Sequence, residues 1–200
     1  MSGFPEASFM LSAAAGAQFP ADRGVEVAFA GRSNAGKSSA INAITARHGL
    51  ARTSKTPGRT RLLNFFSLGP DRRIVDLPGY GFATGPREER AQWAPLIDAL
   101  RPRESLKGLF LVVDCRRGIA ASDLELIDWA DPSRRKIHVL LSKADKLTRA
   151  EGLKAEAAAV AALGGRASVQ LFSALRRIGI EDAQERLQGW IEAGDPRAVK

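Results

Sequence analysis

The 200-residue sequence predicts a single α/β domain built on a mostly parallel six-stranded sheet, with one antiparallel strand and helices on both faces. Three observations carry this. Strand-like apolar runs alternate with helix-like segments along the chain, a glycine-rich turn follows the first run, and no linker or internal repeat divides the sequence. The length suits one large domain.

The elements follow in order. Residues 1–24 are expected to form an N-terminal arm. Within it, Ala7 to Phe19 is uncharged but shorter than the roughly 18 to 20 residues of a membrane span, and no basic stretch precedes it. It therefore reads as a docking arm or a frayed terminus. The folded unit is expected over 25–193, with a tail at 194–200. Val25 to Ala30 is a strand, and Ser38 to Ala46 the helix after it. Gly49 to Thr60 lacks apolar periodicity and reads as a long loop. Arg61 to Leu68 and Arg72 to Asp76 flank the turn LGPD as a hairpin, the source of the antiparallel strand. Leu77 to Arg87 is a second glycine-rich loop, and Glu88 to Leu100 a helix. Then come strand Leu106 to Asp114, helix Ser122 to Ala130, strand Lys136 to Leu141, helix Arg149 to Leu163, strand Ala167 to Phe172 and helix Glu181 to Ile191.

Composition bounds the function. Hydrophobic residues at 44% and charged residues at 26% are ordinary for a soluble domain and disfavour disorder, collagen or a coiled coil. The single cysteine, Cys115, cannot form an internal disulfide, and two histidines do not make a zinc site. A reducing cytosol fits, with Cys115 buried and inert. The net charge of +8 favours a polyanionic partner. No acid occurs between Glu26 and Asp71, whereas Arg32, Lys37, Arg47, Arg52, Lys55, Arg59 and Arg61 fall inside, so this interval should bind anions. Trp93, Trp129 and Trp190 lie on separate helices and read as core anchors. The pairs Arg116-Arg117, Arg134-Arg135 and Arg176-Arg177 are either solvated surface or RNA contacts.

In a parallel sheet, ligands bind beyond the carboxyl ends of the strands, where the loops after Ala30, Asp76, Leu141 and Phe172 gather. The first loop reads Gly31-Arg32-Ser33-Asn34-Ala35-Gly36-Lys37-Ser38, a full G-x-x-x-x-G-K-S between a strand and a helix. Gly31 and Gly36 let the backbone wrap an anion, Lys37 spans β- and γ-phosphates, and the Ser38 hydroxyl ligates Mg²⁺. The second, Asp76-Leu77-Pro78-Gly79, offers a carboxylate on the Mg²⁺ side, acting through water, and a backbone N–H for the γ-phosphate. The third, Ser142-Lys143-Ala144-Asp145, offers a carboxylate that pairs with the N1–H and 2-amino group of guanine, while the Lys143 stem lies over the base. Adenine would leave that carboxylate unpaired.

Taken together, the phosphate loop, D-L-P-G, S-K-A-D and the F-S-A of Phe172, Ser173 and Ala174 resemble the translation-factor-related GTPases, and thus the three-layer P-loop GTPase fold. More narrowly, GRSNAGKSS, ARTSKTPGRT, DLPGYGFA and LSKADK resemble the EngB family of ribosome-biogenesis GTP-binding proteins, over nearly the whole chain from Val25. The resemblance implies GTP contacts at Gly31 to Ser38, at Gly58, Arg59, Thr60 and Arg61, at Asp76 to Gly79, at Ser142 to Asp145 and at Phe172 to Ala174. Mg²⁺ would be held by Ser38 and Thr60, and Lys37, Thr60 and Gly79 would carry catalysis. Ser142 departs from the commoner Asn or Thr but keeps a hydroxyl. The resemblance also implies large ribosomal subunit assembly and a link to cell division and septation, and a cytoplasmic monomer is expected. GTP or GDP, the large subunit or its precursor and ribosomal RNA would be its partners, without DNA or membrane.

Tyr80 stands where many small GTPases place a water-orienting glutamine. Slow unassisted hydrolysis is expected, at or below about 10⁻⁴ to 10⁻³ s⁻¹. Asn34 either marks a site where K⁺ replaces an arginine finger or simply caps the loop. Arg47, Arg52, Lys55, Arg59 and Arg61 are the better RNA candidates, since they share a switch loop. Besides the switch GTPase, the sequence admits a nucleotide-gated binding module with negligible turnover. A P-loop kinase is disfavoured by S-K-A-D and by the lack of a recognisable lid.

Overall fold

The computed structural model describes residues 4–52, 62–80, 95–131 and 133–194. Seven strands form one sheet: β1 Ser8–Ala13, β2 Val25–Gly31, β3 Leu63–Ser67, β4 Arg72–Asp76, β5 Leu106–Asp114, β6 Lys136–Ser142 and β7 Ser168–Leu171. Their order across the sheet is β1-β3-β4-β2-β5-β6-β7. Only β3 runs against the others, paired antiparallel with β1 and β4, while β2 lies parallel between β4 and β5. The expected class stands, with a seventh strand at the edge.

The additional strand is β1, inside the segment read as an arm. It escapes a periodicity search because it is covered from one side and at its end only, leaving Phe9 and Met10 exposed, with a bulge between Phe9 and Leu11. By contrast, every residue of β2 is buried, as a central parallel strand with both faces covered requires.

The helices are α1 Lys37–Thr45, α2 at 95–100, α3 Ala121–Ala130, α4 Arg149–Leu163 and α5 Ile180–Gly194. Ile41, Ile44, Ile180, Leu187 and Trp190 put α1 and α5 on one face with Phe29 and Phe110. Leu96, Leu100, Ile127, Ala159 and Leu163 put α2, α3 and α4 on the other. Expected and observed ends differ by a few residues at most, and α4 and β5 agree throughout. The expected helix from Glu88 is described only over 95–100, and the long loop only to Arg52.

Two packing details fix this scaffold. Gly108 on β5 lies under Trp190, where a Cβ would overlap the indole, which packs on Phe110 at 4.9 Å between ring centroids. Phe110 in turn stacks on Phe29. His138 on β6 is fully buried, its ring nitrogens 2.7 Å from Ser168 Oγ and 2.8 Å from Gln170 Oε1. Burial, aided by Arg186, pushes its pKa down to about 4, so the ring is neutral at pH 7.

At the amino end of β2, a buried Glu26 carboxylate accepts from Arg73 Nε at 3.0 Å and from Arg103 Nε at 2.8 Å. The two arginines also donate to backbone carbonyls of the arm, Arg103 to Pro20 at 2.9 Å and Arg73 to Ala21 at 3.1 Å. Asp22 accepts from the backbone N–H groups of Glu104 and Ser105 at 3.0 and 2.9 Å. Three distant stretches of chain are tied at the end of the sheet opposite the loops described next.

Candidate functional site

The carboxyl ends of β2, β4, β5, β6 and β7 lie side by side, so the loops after them meet along one edge. The central one is the phosphate loop. Gly31 has no room for a side chain, since a Cβ would lie 2.6 Å from the Val112 carbonyl. Gly36 caps α1 with φ +96°, a left-handed conformation that glycine adopts without strain. Its carbonyl accepts from Ala40 N at 2.9 Å. No acid occupies the first turn of α1, so the helix presents its positive end to the loop. Asn34 has φ +64°, tolerable for asparagine, and is exposed.

This loop is held from both flanks. On one side Ser142 Oγ donates to Ala35 O at 2.5 Å and to Val113 O at 3.1 Å, and Lys143 Nζ donates to Asn34 O at 2.7 Å. On the other, Ser33 N donates to Tyr80 O at 2.9 Å, and Gly79 lies so close that a Cβ would come 3.0 Å from Ser33 Oγ. Hence the phosphate loop touches both of the other loops recognised separately in the sequence.

The Lys37 ammonium pairs with the Asp76 carboxylate at the end of β4, both largely buried. Ser38 Oγ donates to Arg52 O at 3.2 Å. After Asp76, Leu77 is buried and donates its N–H to Phe29 O at 2.9 Å, whereas Gly79 is exposed beside Pro78. A hydroxyl and a carboxylate are hard oxygen donors, the chemistry Mg²⁺ accepts.

At the far flank, Asp145 Oδ1 accepts from Ser173 Oγ at 2.5 Å. That hydrogen bond holds the carboxyl below its ordinary range, so it is ionised at neutral pH. Ala144 N donates to Phe172 O at 3.1 Å, and Phe172 is buried, with Ala174 packed nearby. S-K-A-D and F-S-A thus form one unit. The first-switch residues Gly58, Arg59, Thr60 and Arg61 lie outside the described residues, as do Lys55 and Trp93.

Two acids in this region were not singled out by sequence. Asp114, at the end of β5, accepts from Lys143 Nζ at 3.0 Å and from Arg116 Nε and Nη2 at 2.9 and 2.7 Å. The Arg116 guanidinium, followed by Lys143, holds its carboxyl well below the usual range. A signal existed, since Asp114 closes an apolar strand as Asp76 does. Asp123, on α3, accepts from the Tyr80 hydroxyl at 2.7 Å and faces Arg32 Nη2 at 3.5 Å. Tyr80 is buried, so its ring is turned into the protein. Cys115 is buried too, and burial pushes its thiol up, as expected for an inert cysteine.

The model of a family described as 50S ribosome-binding GTPase matches residues 26–143. Among curated proteins, the "Probable GTP-binding protein EngB" of Aromatoleum aromaticum is 50% identical over 192 residues, 94% of this chain and 89% of that protein. Its namesake from an Azoarcus species is 48% identical over 193 residues, 94% and 92% of the two chains. Among solved structures, that of a probable GTP-binding protein engB superposes with a TM-score of 0.67 at 23% identity, over 84% of this chain and all of the other. Bacterial selenocysteine-specific elongation factor EF-Sec gives 0.64 at 24% identity, over 86% of this chain and 29% of that one. These structural likenesses speak for the fold.

Proposed function

The chain belongs to the EngB family of GTP-binding proteins, P-loop GTPases, and from that premise we propose that it is a GTP-operated switch in large ribosomal subunit assembly. It binds the large subunit or its precursor in the GTP state, hydrolyses GTP slowly alone, and serves cell division and septation through that role. The observation that carries the reading is the meeting of a phosphate loop with an ionised Asp145 along one sheet edge. A triphosphate and a guanine are the two ends of one ligand that this edge fits.

In the proposed mechanism the backbone N–H groups of Gly31 to Ser38 and the start of α1 cradle the phosphates. Lys37 leaves Asp76 for the β- and γ-phosphates. Asp145 accepts from the guanine N1–H and 2-amino group, with Ser173 holding the carboxylate in place, and Lys143 covers the base. Ser38, Thr60 and, through water, Asp76 would hold Mg²⁺, which neutralises developing charge on the phosphates when bound. Gly79 directs its N–H at the γ-phosphate. The burial of Tyr80 supports slow unassisted turnover, because a hydroxyl committed to Asp123 does not orient an attacking water. The left-handed backbone at Asn34 accounts for an asparagine there without K⁺, so comparing hydrolysis rates in KCl and NaCl decides between cap and K⁺ ligand.

No described helix is long and apolar enough to cross a membrane. The proposed protein is a cytoplasmic monomer, with a 25–193 G domain, a docked arm at 1–24 and a tail at 194–200. Its partners are GTP or GDP and ribosomal RNA in the large subunit, not DNA. The buried Tyr80 also favours the second reading, a nucleotide-gated module with negligible turnover. Co-sedimentation with ribosomal subunits in GTP-analogue, GDP and nucleotide-free states, across a salt series, tests the first. Large-subunit binding confined to the GTP-analogue state supports it, and equal binding in all states overturns it. Stimulation of hydrolysis by those particles separates switch from module.

A further inference from the structure

A fully buried carboxylate on α3 joins two of the loops that face the phosphates. Asp123 has no exposed surface, and each oxygen is engaged. Oδ1 accepts from the Tyr80 hydroxyl at 2.7 Å, and Oδ2 accepts from Ala120 N at 2.8 Å and faces Arg32 Nη2 at 3.5 Å. Arg32 also donates to Gly118 O at 2.8 Å. Capping Ala120 N alone would not require a charge, since a neutral glutamine serves at the same N3 position. Burying a carboxylate is costly unless charged or hydrogen-bonding partners meet it, and here they come from the phosphate loop and the loop after β4.

Tyr80 is gripped twice. Its backbone bridges to the phosphate loop, through Ser33 N to Tyr80 O at 2.9 Å and Tyr80 N to Gly31 O at 3.4 Å, and its side chain ends on α3. Burial, with the Asp123 charge, raises the phenol far above its usual range, so the hydroxyl remains a donor at any physiological pH. Gly79 directly precedes this fixed residue and is exposed. Resting on the proposed GTP site, we infer that Asp123 is a positioning residue: by holding Tyr80 and Arg32 it presets the Gly79 N–H for the γ-phosphate and so sets the preference for GTP over GDP. A diphosphate has no γ group and gains nothing from this presetting.

Calorimetric titration with a non-hydrolysable GTP analogue, and with GDP, both in Mg²⁺, compares the protein with Tyr80→Phe, Asp123→Ala, which removes both acceptor oxygens, and the double variant. Tyr80→Phe keeps the ring volume and removes only the donor. Expected is a fall of about five- to tenfold in GTP-analogue affinity in each single variant. GDP affinity stays within about twofold, and the double variant is no worse than the weaker single one, because both cuts open the same link. Equal weakening of both nucleotides, no weakening, or additive losses overturn the inference. Tyr80→Phe alone decides if Asp123→Ala does not fold. Failure of the unmutated protein to bind either nucleotide overturns the GTP reading itself, a different outcome from an unchanged preference.

Discussion

Substituting Asp114→Asn tests the base side of the site. The side chain keeps its shape, but one carboxylate oxygen becomes an amide that points donors at either Lys143 or Arg116. Lys143 Nζ lies 3.0 Å from Asp114 Oδ2, and its side chain is 32% exposed where that of Asp114 is 6% exposed. Hydrogen bonds to charged groups contribute about 1.5 to 3 kcal/mol when buried. Water reaches the Lys143 end and replaces part of this, leaving about 1 to 2 kcal/mol. Expressed wholly in binding, that is about a 5- to 30-fold loss of nucleotide affinity. GTP and GDP carry the same base, so both should weaken equally in calorimetric titration, unlike the selective loss expected when the Tyr80 link is cut. Arg116→Ala, which leaves the Lys143 contact in place, should cost less. In a Lys143→Met background the Asp114→Asn loss should vanish. Unchanged affinity in Asp114→Asn, or an equal loss with and without Lys143, would refute the argument that Asp114 orients this lysine.

Three further outcomes are expected. Asp145→Asn should move base preference from guanine toward xanthine by reversing the hydrogen-bond match, and unchanged GTP affinity in competition binding would count against Asp145 as the base reader. Gly108→Ala should destabilise by about 1 to 3 kcal/mol because the new methyl meets Trp190. The melting temperature should fall by about 2 to 10 °C, and by less in a Trp190→Leu background. For His138 the folded pKa of about 4 lies below the ordinary 6.5, so between those values the unfolded chain binds a proton that the folded chain does not. Stability should therefore drop as pH falls from 6.5 to 4, by about 3 kcal/mol at most. Denaturant titrations of His138→Gln should show that drop flattened.

The fold and the central site were legible for the same reason: both rest on local pattern. Buried parallel strands such as Val25–Gly31 and Leu106–Asp114 announce themselves as apolar runs, and a phosphate loop is eight consecutive residues with glycines where the backbone must turn. What stayed hidden depends on contacts between distant positions. β1 has no clean alternation because it is an edge strand held by β3 alone, with the consecutive Phe9 and Met10 both exposed and a bulge between Phe9 and Leu11. Asp123 reads as an ordinary helix-start acid, and nothing in its surroundings names Tyr80, 43 residues earlier, as its partner. The aromatic at Tyr80 could be recognised as unfit to orient water. Only packing shows that it is committed elsewhere.

The Glu26 cluster lies at the amino end of β2, and the phosphate loop starts at its carboxyl end. Five residue steps along β2, from Glu26 to Gly31, separate them, about 17 Å. Durability and responsiveness are thereby given different addresses on the same strand. Substitutions that strengthen the arm against Arg73 and Arg103 can raise heat resistance without stiffening the loops that must shift with the nucleotide, easing the familiar conflict between a sturdy protein and an active one.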